Sequence, residues 1–261
     1  MNVALITVGD ELLAGDTENT NATWLARELT DRGVAVRRVL VLPDDRAAIA
    51  DAVDRYREAF DAVILTGGLG GTHDDVTMAA VADALDRPLA VDEAARADVA
   101  ETVAAFRESN PELFDRYPEM GLDFDAQASI PEGARPLLNP VGLAPGCVAD
   151  GVYVLPGIPE EMKATFETVA DEFAGAGRSV TLHTPVPEGA LAEYLADARD
   201  RFDVAVGSYP SRGEEHNRVE VSGEDPEAID RAVAWIRERI EIVADPETGD
   251  DQVTGDAEDS G

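Results

Sequence analysis

The stretch DAVILTGGLGGTHDDVTMAAVADAL, residues 61–85, decides the fold, because it reads as buried strand, glycine turn and helix in immediate succession. Ala62 to Leu65 is a short apolar run suited to a strand covered on both faces, and from Val76 to Leu85 the apolar positions recur at helical spacing. Between them Gly67, Gly68, Gly70 and Gly71 permit backbone dihedrals that a side chain forbids and let a ligand approach closely. The helix beyond aims free N–H groups and the positive end of its dipole back at the turn, the usual way of holding phosphate. An anion site is expected there.

Two familiar glycine loops do not fit these letters. Walker A needs Gly-Lys-Ser/Thr at the helix start, and the single lysine of this chain is Lys163, far downstream. The dinucleotide fingerprint needs a last glycine three residues after the second, which from Gly68 and Gly70 falls on His73, and this loop follows a third strand, not a first. A P-loop NTPase is excluded and a dehydrogenase is not expected.

Outward from that stretch, the pattern repeats. Val3 to Val8 is a continuous apolar strand ending in the polar turn Gly9-Asp10-Glu11, and Asn19-Thr20-Asn21 offers N-cap residues for a helix carrying Trp24, Leu25 and Leu29 that stops at Gly33. Val34 to Leu42 is the next strand. Pro43-Asp44-Asp45 turns into a helix with Ile49, Val53 and Tyr56 on one face. Strands separated by such helices imply parallel crossovers and a three-layer α/β/α domain with a mainly parallel sheet. Ligands collect beyond the carboxyl ends of strands in such sheets, so the loops at Gly9 to Gly15 and Thr66 to Asp75 are expected on one edge.

Further on, Asp92 to Glu108 and Pro111 to Tyr117 read as helices, the second ended by Pro118. The prolines at 131, 136, 140 and 145 predict turns and short edge strands, and Asp150-Gly151 between apolar pairs is a two-residue hairpin signal. Pro159, Glu160 and Glu161 suit the first turn of a helix running on through Phe166 to Phe173. After Gly175-Ala-Gly177, read as a linker, the order strand, helix, strand, strand, helix predicts a small α+β unit over 178–244, with the domain before it spanning 1–174. Residues 245–261 are acidic and nearly free of large apolar groups, so a disordered tail is expected.

Composition narrows the function. A net charge of -33 and a pI near 4.1 oppose the basic footprint of nucleic-acid binders and would repel anionic membrane surfaces. Twenty arginines and one lysine against 54 carboxylates fit a surface kept soluble in concentrated salt, where at about 1 M the Debye length is only about 3 Å. A halophilic cytoplasm is the expectation. Cys147 is the one cysteine, set in Gly-Cys-Val as a small buried side chain, so no intramolecular disulfide forms and no redox role is assigned. Apolar runs are strand-sized, so no membrane span or leader is expected.

Four separate motifs carry a resemblance. Gly9-Asp10-Glu11 with Gly15; Thr66-Gly67-Gly68-Leu69-Gly70 with Thr72, Asp74-Asp75 and Thr77; Asn139-Pro140 with Gly142 and Ala144-Pro145-Gly146; and Pro156-Gly157 with Pro159, Glu161 and Met162 together resemble the CinA amino-terminal branch of the MoaB/Mog molybdopterin-binding family, in order from residue 1 to about 245. The resemblance implies a MogA-like domain, a pocket for a molybdopterin-type or nucleotide ligand, and a homo-oligomer. It further implies a divalent-metal-dependent pyrophosphatase acting on ADP-ribose, an activity described for some members. Two departures stand out: Gly71 occupies a position where many relatives have proline, and the sequence stops before a carboxy-terminal deamidase domain, whose activity is not carried over.

On this reading Gly9, Glu11, Thr66, Gly67, Gly68, Leu69, Gly70, Thr72, Thr77, Pro156 and Gly157 bind the ligand. Asp10, Asp74 and Asp75 would carry Mg²⁺, Mn²⁺ or Co²⁺ and the catalytic work. Plainer roles stand beside these. Asp74 or Asp75 can be a helix N-cap, Thr72 and Thr77 can close local turns, His73 can be a solvated loop residue, Asn21 an N-cap, and Glu161 and Lys163 exposed rather than at the pocket rim. Two rivals to hydrolysis remain: handling of molybdopterin in cofactor synthesis, and a non-catalytic nucleotide-binding module.

Overall fold

The computed structural model describes residues 1–72, 74–117, 123–175, 177–210 and 216–243. His73, Pro118, Ala176 of the expected linker and the tail 245–261 lie outside the described residues. The chain divides into two compact units, Met1–Gly175 and Ala176–Gly261.

In the first unit the order is β1 (Asn2–Val8), α1 (Asp10–Ala14), α2 (Thr20–Asp31), β2 (Ala35–Leu42), α3 (Arg46–Ala59), β3 (Ala62–Thr66), α4 (Thr77–Ala84), β4 (Leu89–Val91), α5 (Glu93–Ser109), α6 (Pro111–Arg116), α7 (Phe124–Gln127), β5 (Ser129–Pro131), β6 (Arg135–Leu137), β7 (Gly146–Ala149), β8 (Val152–Leu155) and α8 (Pro159–Glu167). A six-stranded sheet runs β2-β1-β3-β8-β7-β6, and β4 pairs separately with β5. Its first four strands are parallel, β7 is antiparallel to β8, and β6 is antiparallel to β7. The β7–β8 turn is the expected Asp150-Gly151 pair, with φ of 48° and 78°, the left-handed pair a two-residue hairpin needs.

Alternation along the buried strands builds the two layers. Ile6, Val8, Val63 and Leu65 face one way and pack against Ile49 and Val53 of α3 and Ala80 and Val81 of α4. Val3, Leu5 and Ile64 face the other way, against Leu25 and Leu29 of α2 and Met162 and Phe166 of α8. Because β3 is buried at every position, its sequence shows no alternation, only a continuous apolar run. Trp24 is half-buried, its ring edge-on to Phe166 at 5.6 Å. Cys147 is fully buried and its thiol is pushed up to about 12 by that burial.

Two elements differ from the sequence reading. The polar turn at Gly9-Asp10-Glu11 is the start of a one-turn helix, closed by Gly15 in the left-handed region at φ 76°. The helix expected to continue through Phe173 ends at Glu167, and a single 3-10 turn, Ala170–Glu172, follows.

The second unit contains β9 (Arg178–Thr184), α9 (Glu188–Phe202), β10 (Ala205–Tyr209), β11 (Asn217–Gly223) and α10 (Pro226–Arg237), with an antiparallel sheet in the order β10-β11-β9. Leu182, Val219 and Val221 meet Leu191, Leu195, Ile229 and Ile236 in its core. The last helix ends at Arg237.

Candidate functional site

Three parallel strands, side by side, bring three loops to one place. Thr7 of β1 stands opposite Thr66 of β3, and Thr66 opposite Leu155 of β8, so all three strands end at the same level. The chain leaves β1 into α1, β3 into the glycine loop and β8 into Pro156-Gly157. Above these ends lies a cleft of about 630 Å³. Gly67, at φ 100°, and Gly157 form its floor, where a Cβ on Gly157 would stand 3.1 Å from the Gly67 Cα.

The glycine loop leaves amides unused. Gly67 N–H donates to Leu155 O at 3.3 Å, whereas the N–H groups of Gly68, Leu69, Gly70 and Gly71 donate to no group among the described residues. The loop is held from outside: the Gln127 side-chain amide donates to Leu69 O at 2.7 Å. Gly68, at φ 65°, lies against the Thr77 hydroxyl, which is buried and without a hydrogen-bond partner among the described residues. Thr72 is placed otherwise. Its N–H and Oγ1 donate to Asp75 Oδ2 at 2.9 and 2.5 Å, so Asp75 closes the loop internally. Neither Asp74 nor Asp75 takes the N-cap role: the cap of α4 is Val76, with no side-chain cap bond.

Glu11, Asp44, Asp74 and Asp75 line the cleft, whereas Asp10, Thr72 and Thr77 are not among its lining residues. Asp10 N–H donates to Asp44 Oδ2 at 3.0 Å, which draws the β2–α3 turn over α1. Burial pushes the Asp44 carboxyl above the usual carboxylate range. The hydrogen bond from Asp10 opposes that shift, and the charges of Asp10, Glu11 and Asp74 add to it. Asp44 was not singled out from sequence, because it was read as part of an ordinary Pro-Asp-Asp turn. Among the described residues no group of three or more His, Cys, Asp or Glu is placed to hold a metal ion.

Asparagines set the opposite wall. Asn19 is the N-cap of α2, accepting from Ala22 N–H at 3.1 Å, and its amide also donates to Thr7 Oγ1 at 2.9 Å. Asn21, offered above as an N-cap, instead donates to Gly157 O at 2.7 Å while its Oδ1 is buried with no partner among the described residues. Buried Asn139 donates to Glu161 Oε2 at 2.6 Å and to Ala144 O at 3.1 Å, which fixes Glu161 on the cleft wall. Lys163 sits outside the cleft, its ammonium 5.8 Å from the Trp24 ring centroid. Spacing in sequence carried no sign of these links, which join residues 136 and 22 positions apart.

Residues 4–175 match the family model of the probable molybdopterin binding domain. The chain belongs to that molybdopterin-binding family. In this family member, residues 178–245 match a second model, the middle domain of FAD synthase. A protein of Archaeoglobus fulgidus is 35% identical over 245 residues, covering 92% of this chain and 98% of its own. A CinA-like protein of Salinibacter ruber is 38% identical, covering 98% of this chain and 65% of its own. Among solved structures, protein CinA of unknown function from Thermoplasma acidophilum has a TM-score of 0.55 and 36% identity, covering 66% of this chain and 97% of that one. The molybdopterin-binding domain thus has the CinA-like, MogA-type α/β architecture that its four motifs implied. No helix among the described residues is long and apolar enough to cross a membrane.

Proposed function

We propose that the cleft binds a phosphate-bearing pterin or nucleotide, with the phosphate on the amides of Gly68 to Gly71 and the organic part toward Asn19, Asn21 and Glu161. The observation that carries this reading is the set of four successive N–H groups without partners among the described residues, beside glycines that admit close approach. Membership of a molybdopterin-binding family supports a pterin as the resident ligand. Mass spectrometry of small molecules retained through purification tests the reading. A pterin or nucleotide in stoichiometric amount supports it, and calorimetry showing no binding of pterin phosphates, AMP or ADP-ribose overturns it.

Hydrolysis of a pyrophosphate bond in ADP-ribose-like substrates is the second reading, favoured by the raised Asp44 carboxyl among Asp10, Glu11 and Asp74. So much negative charge beside an anion site suits a divalent cation, which would polarise the phosphate and supply an activated water. Asp10, Asp44 and Asp74 carry that charge, but as placed they do not form a group that could hold the ion, and binding it would require them to draw together. Asp75, engaged by Thr72, fits that duty less well than the sequence suggested. The residues themselves hold the phosphate, orient the substrate between the two walls and offer carboxylates as proton acceptors. Turnover of ADP-ribose with Mg²⁺, Mn²⁺ or Co²⁺ checks this reading; absence of turnover with every metal leaves a binding protein that handles its ligand for other enzymes.

Composition adds a setting, a cytoplasm rich in salt without nucleic acid or membrane as partner, and the family resemblance adds a homo-oligomer. Circular dichroism across a KCl series tests the first point, because full folding in dilute buffer would count against it. Light scattering tests the second.

A further inference from the structure

Beside the cleft lies a second depression of about 390 Å³, reached across the first turn of α2. Glu18, Asn19, Thr20, Asn21 and Pro159 line both, so the two spaces adjoin. Beyond that shared rim the lining changes character, to Trp24, Arg27 and Lys163. Lys163 is the one lysine of the chain. Among the described residues neither it nor Arg27 has a carboxylate within 4.0 Å, although Arg32, Arg46, Arg57, Arg87, Arg96 and Arg135 each reach one. Other arginines, such as Arg37, Arg55 and Arg218, also reach none among the described residues, so what sets Arg27 and Lys163 apart is that both line one space, together with Trp24, whose ring centroid lies 5.8 Å from the Lys163 ammonium.

We propose that this side pocket is a second phosphate subsite, holding a distal phosphate of the same ligand whose first phosphate sits on the glycine loop. The inference rests on the ligand reading above and gives it a substrate class: a bisphosphorylated nucleotide or pterin. Arg27 and Lys163 supply charge-assisted donors. Asn21, at the rim of both spaces with an unpaired Oδ1, accepts from a ligand hydroxyl or amine lying between the phosphates. Glu18 at the same rim disfavours a second anion placed short of the two cations, which sets the reach of the ligand. The cleft offers the glycine-loop amides for one phosphate but no cation among its lining, whereas the side pocket offers two cations, so a second phosphate gains in the side pocket.

Tryptophan fluorescence reads the subsite directly. In a Trp235→Phe background Trp24 is the sole indole, and inorganic phosphate, AMP and the adenosine bisphosphates that add one phosphate to the ribose are titrated at constant ionic strength. The expected results are a saturable change of Trp24 emission with inorganic phosphate, and an adenosine bisphosphate that binds at least tenfold tighter than AMP. In Arg27→Ala/Lys163→Ala the phosphate response disappears and the bisphosphate falls to within twofold of AMP. Both residues are exposed, and an unchanged circular dichroism spectrum excludes misfolding. Emission indifferent to phosphate, or a bisphosphate preference untouched by the double variant, overturns the proposal. A phosphate response with no bisphosphate preference overturns the link between the two spaces. If AMP and the bisphosphates fail to bind at all while phosphate still responds through Arg27 and Lys163, the nucleotide reading of the cleft fails and the anion subsite stands.

Discussion

Gly157 packs on Gly67 so closely that a Cβ added to the former would lie 3.1 Å from the Cα of the latter. Two loops that begin 89 residues apart, after Thr66 and Leu155, therefore share one floor, and their hydrogen bond, from Gly67 N–H to Leu155 O, lies beside the contact. Gly157→Ala must push the glycine loop off its position by a few tenths of an ångström. Ligand affinity is expected to fall about tenfold, roughly 1.4 kcal/mol, with little change in thermal stability. Calorimetry against the retained ligand measures it, and an unchanged Kd would show that the loop position is not set by this contact.

Gly68→Ala meets two penalties. The backbone lies at φ 65°, which costs an L residue roughly 1–2 kcal/mol, and the new methyl meets the Thr77 hydroxyl. Adding Thr77→Ala relieves the second and leaves the first, so a double-mutant cycle by urea denaturation is expected to show favourable coupling. Strict additivity would mean the loop moves away from α4 instead.

Thr77→Val removes a buried hydroxyl that has no partner. Such a group costs about 1–3 kcal/mol when left unsatisfied, so the ligand-free protein is expected to be as stable as wild type or more so. If instead the ligand uses this hydroxyl, the same variant binds more weakly. Melting curves with and without ligand separate the two effects.

Asp75→Ala frees Thr72, which otherwise donates through both N–H and Oγ1 to one carboxylate oxygen. The loop loses its internal closure, and affinity is expected to drop about tenfold. Asp75→Asn keeps an acceptor oxygen and restores part of the loss. Equal damage from both variants would instead point to the charge of Asp75, as a metal ligand would require.

Asp44 gives a pH dependence. Its folded carboxyl titrates above the ordinary 3.8, so between that value and the raised one the folded chain holds more proton than the unfolded chain. Stability from this group therefore declines as pH rises through that window, and at neutral pH the ionised group is a net cost. Asp44→Asn, which still accepts from Asp10 N–H, is expected to raise Tm at pH 7 by an amount that shrinks to nothing near pH 3.8. A Tm gain independent of pH would assign the effect to packing. In wild type, Mn²⁺ that raises Tm at pH 7 and ceases to do so in Asp44→Asn would support the cation reading.

Much of this protein was legible as a string, for local reasons. The run Ala62–Leu65, the four glycines after it and the apolar spacing from Val76 to Leu85 each report a backbone preference within a few residues, and together they imposed strand, turn and helix. The same locality made Asp150-Gly151 a hairpin and Pro159 a helix start. Reading failed where a side chain had a choice of partners. Asp75 was offered α4 as a helix to cap and bonds Thr72 instead, Asn21 was offered α2 and bonds Gly157, and Glu161 turns to Asn139. A short polar side chain has several acceptors and donors within local reach, and their energies differ by about 1 kcal/mol, so distant neighbours decide among them.

Sequence alone thus determined that the chain forms a buried parallel sheet with a glycine turn at the end of β3, because apolar periodicity and glycine act without reference to anything remote. The tertiary structure alone decided that Asp44 joins Asp10, Glu11 and Asp74, and that Arg27 and Lys163 share a pocket with Trp24. Those groupings depend on which strands become neighbours and where their ends align, and hydrogen bonding between backbones far apart in the chain carries no residue code.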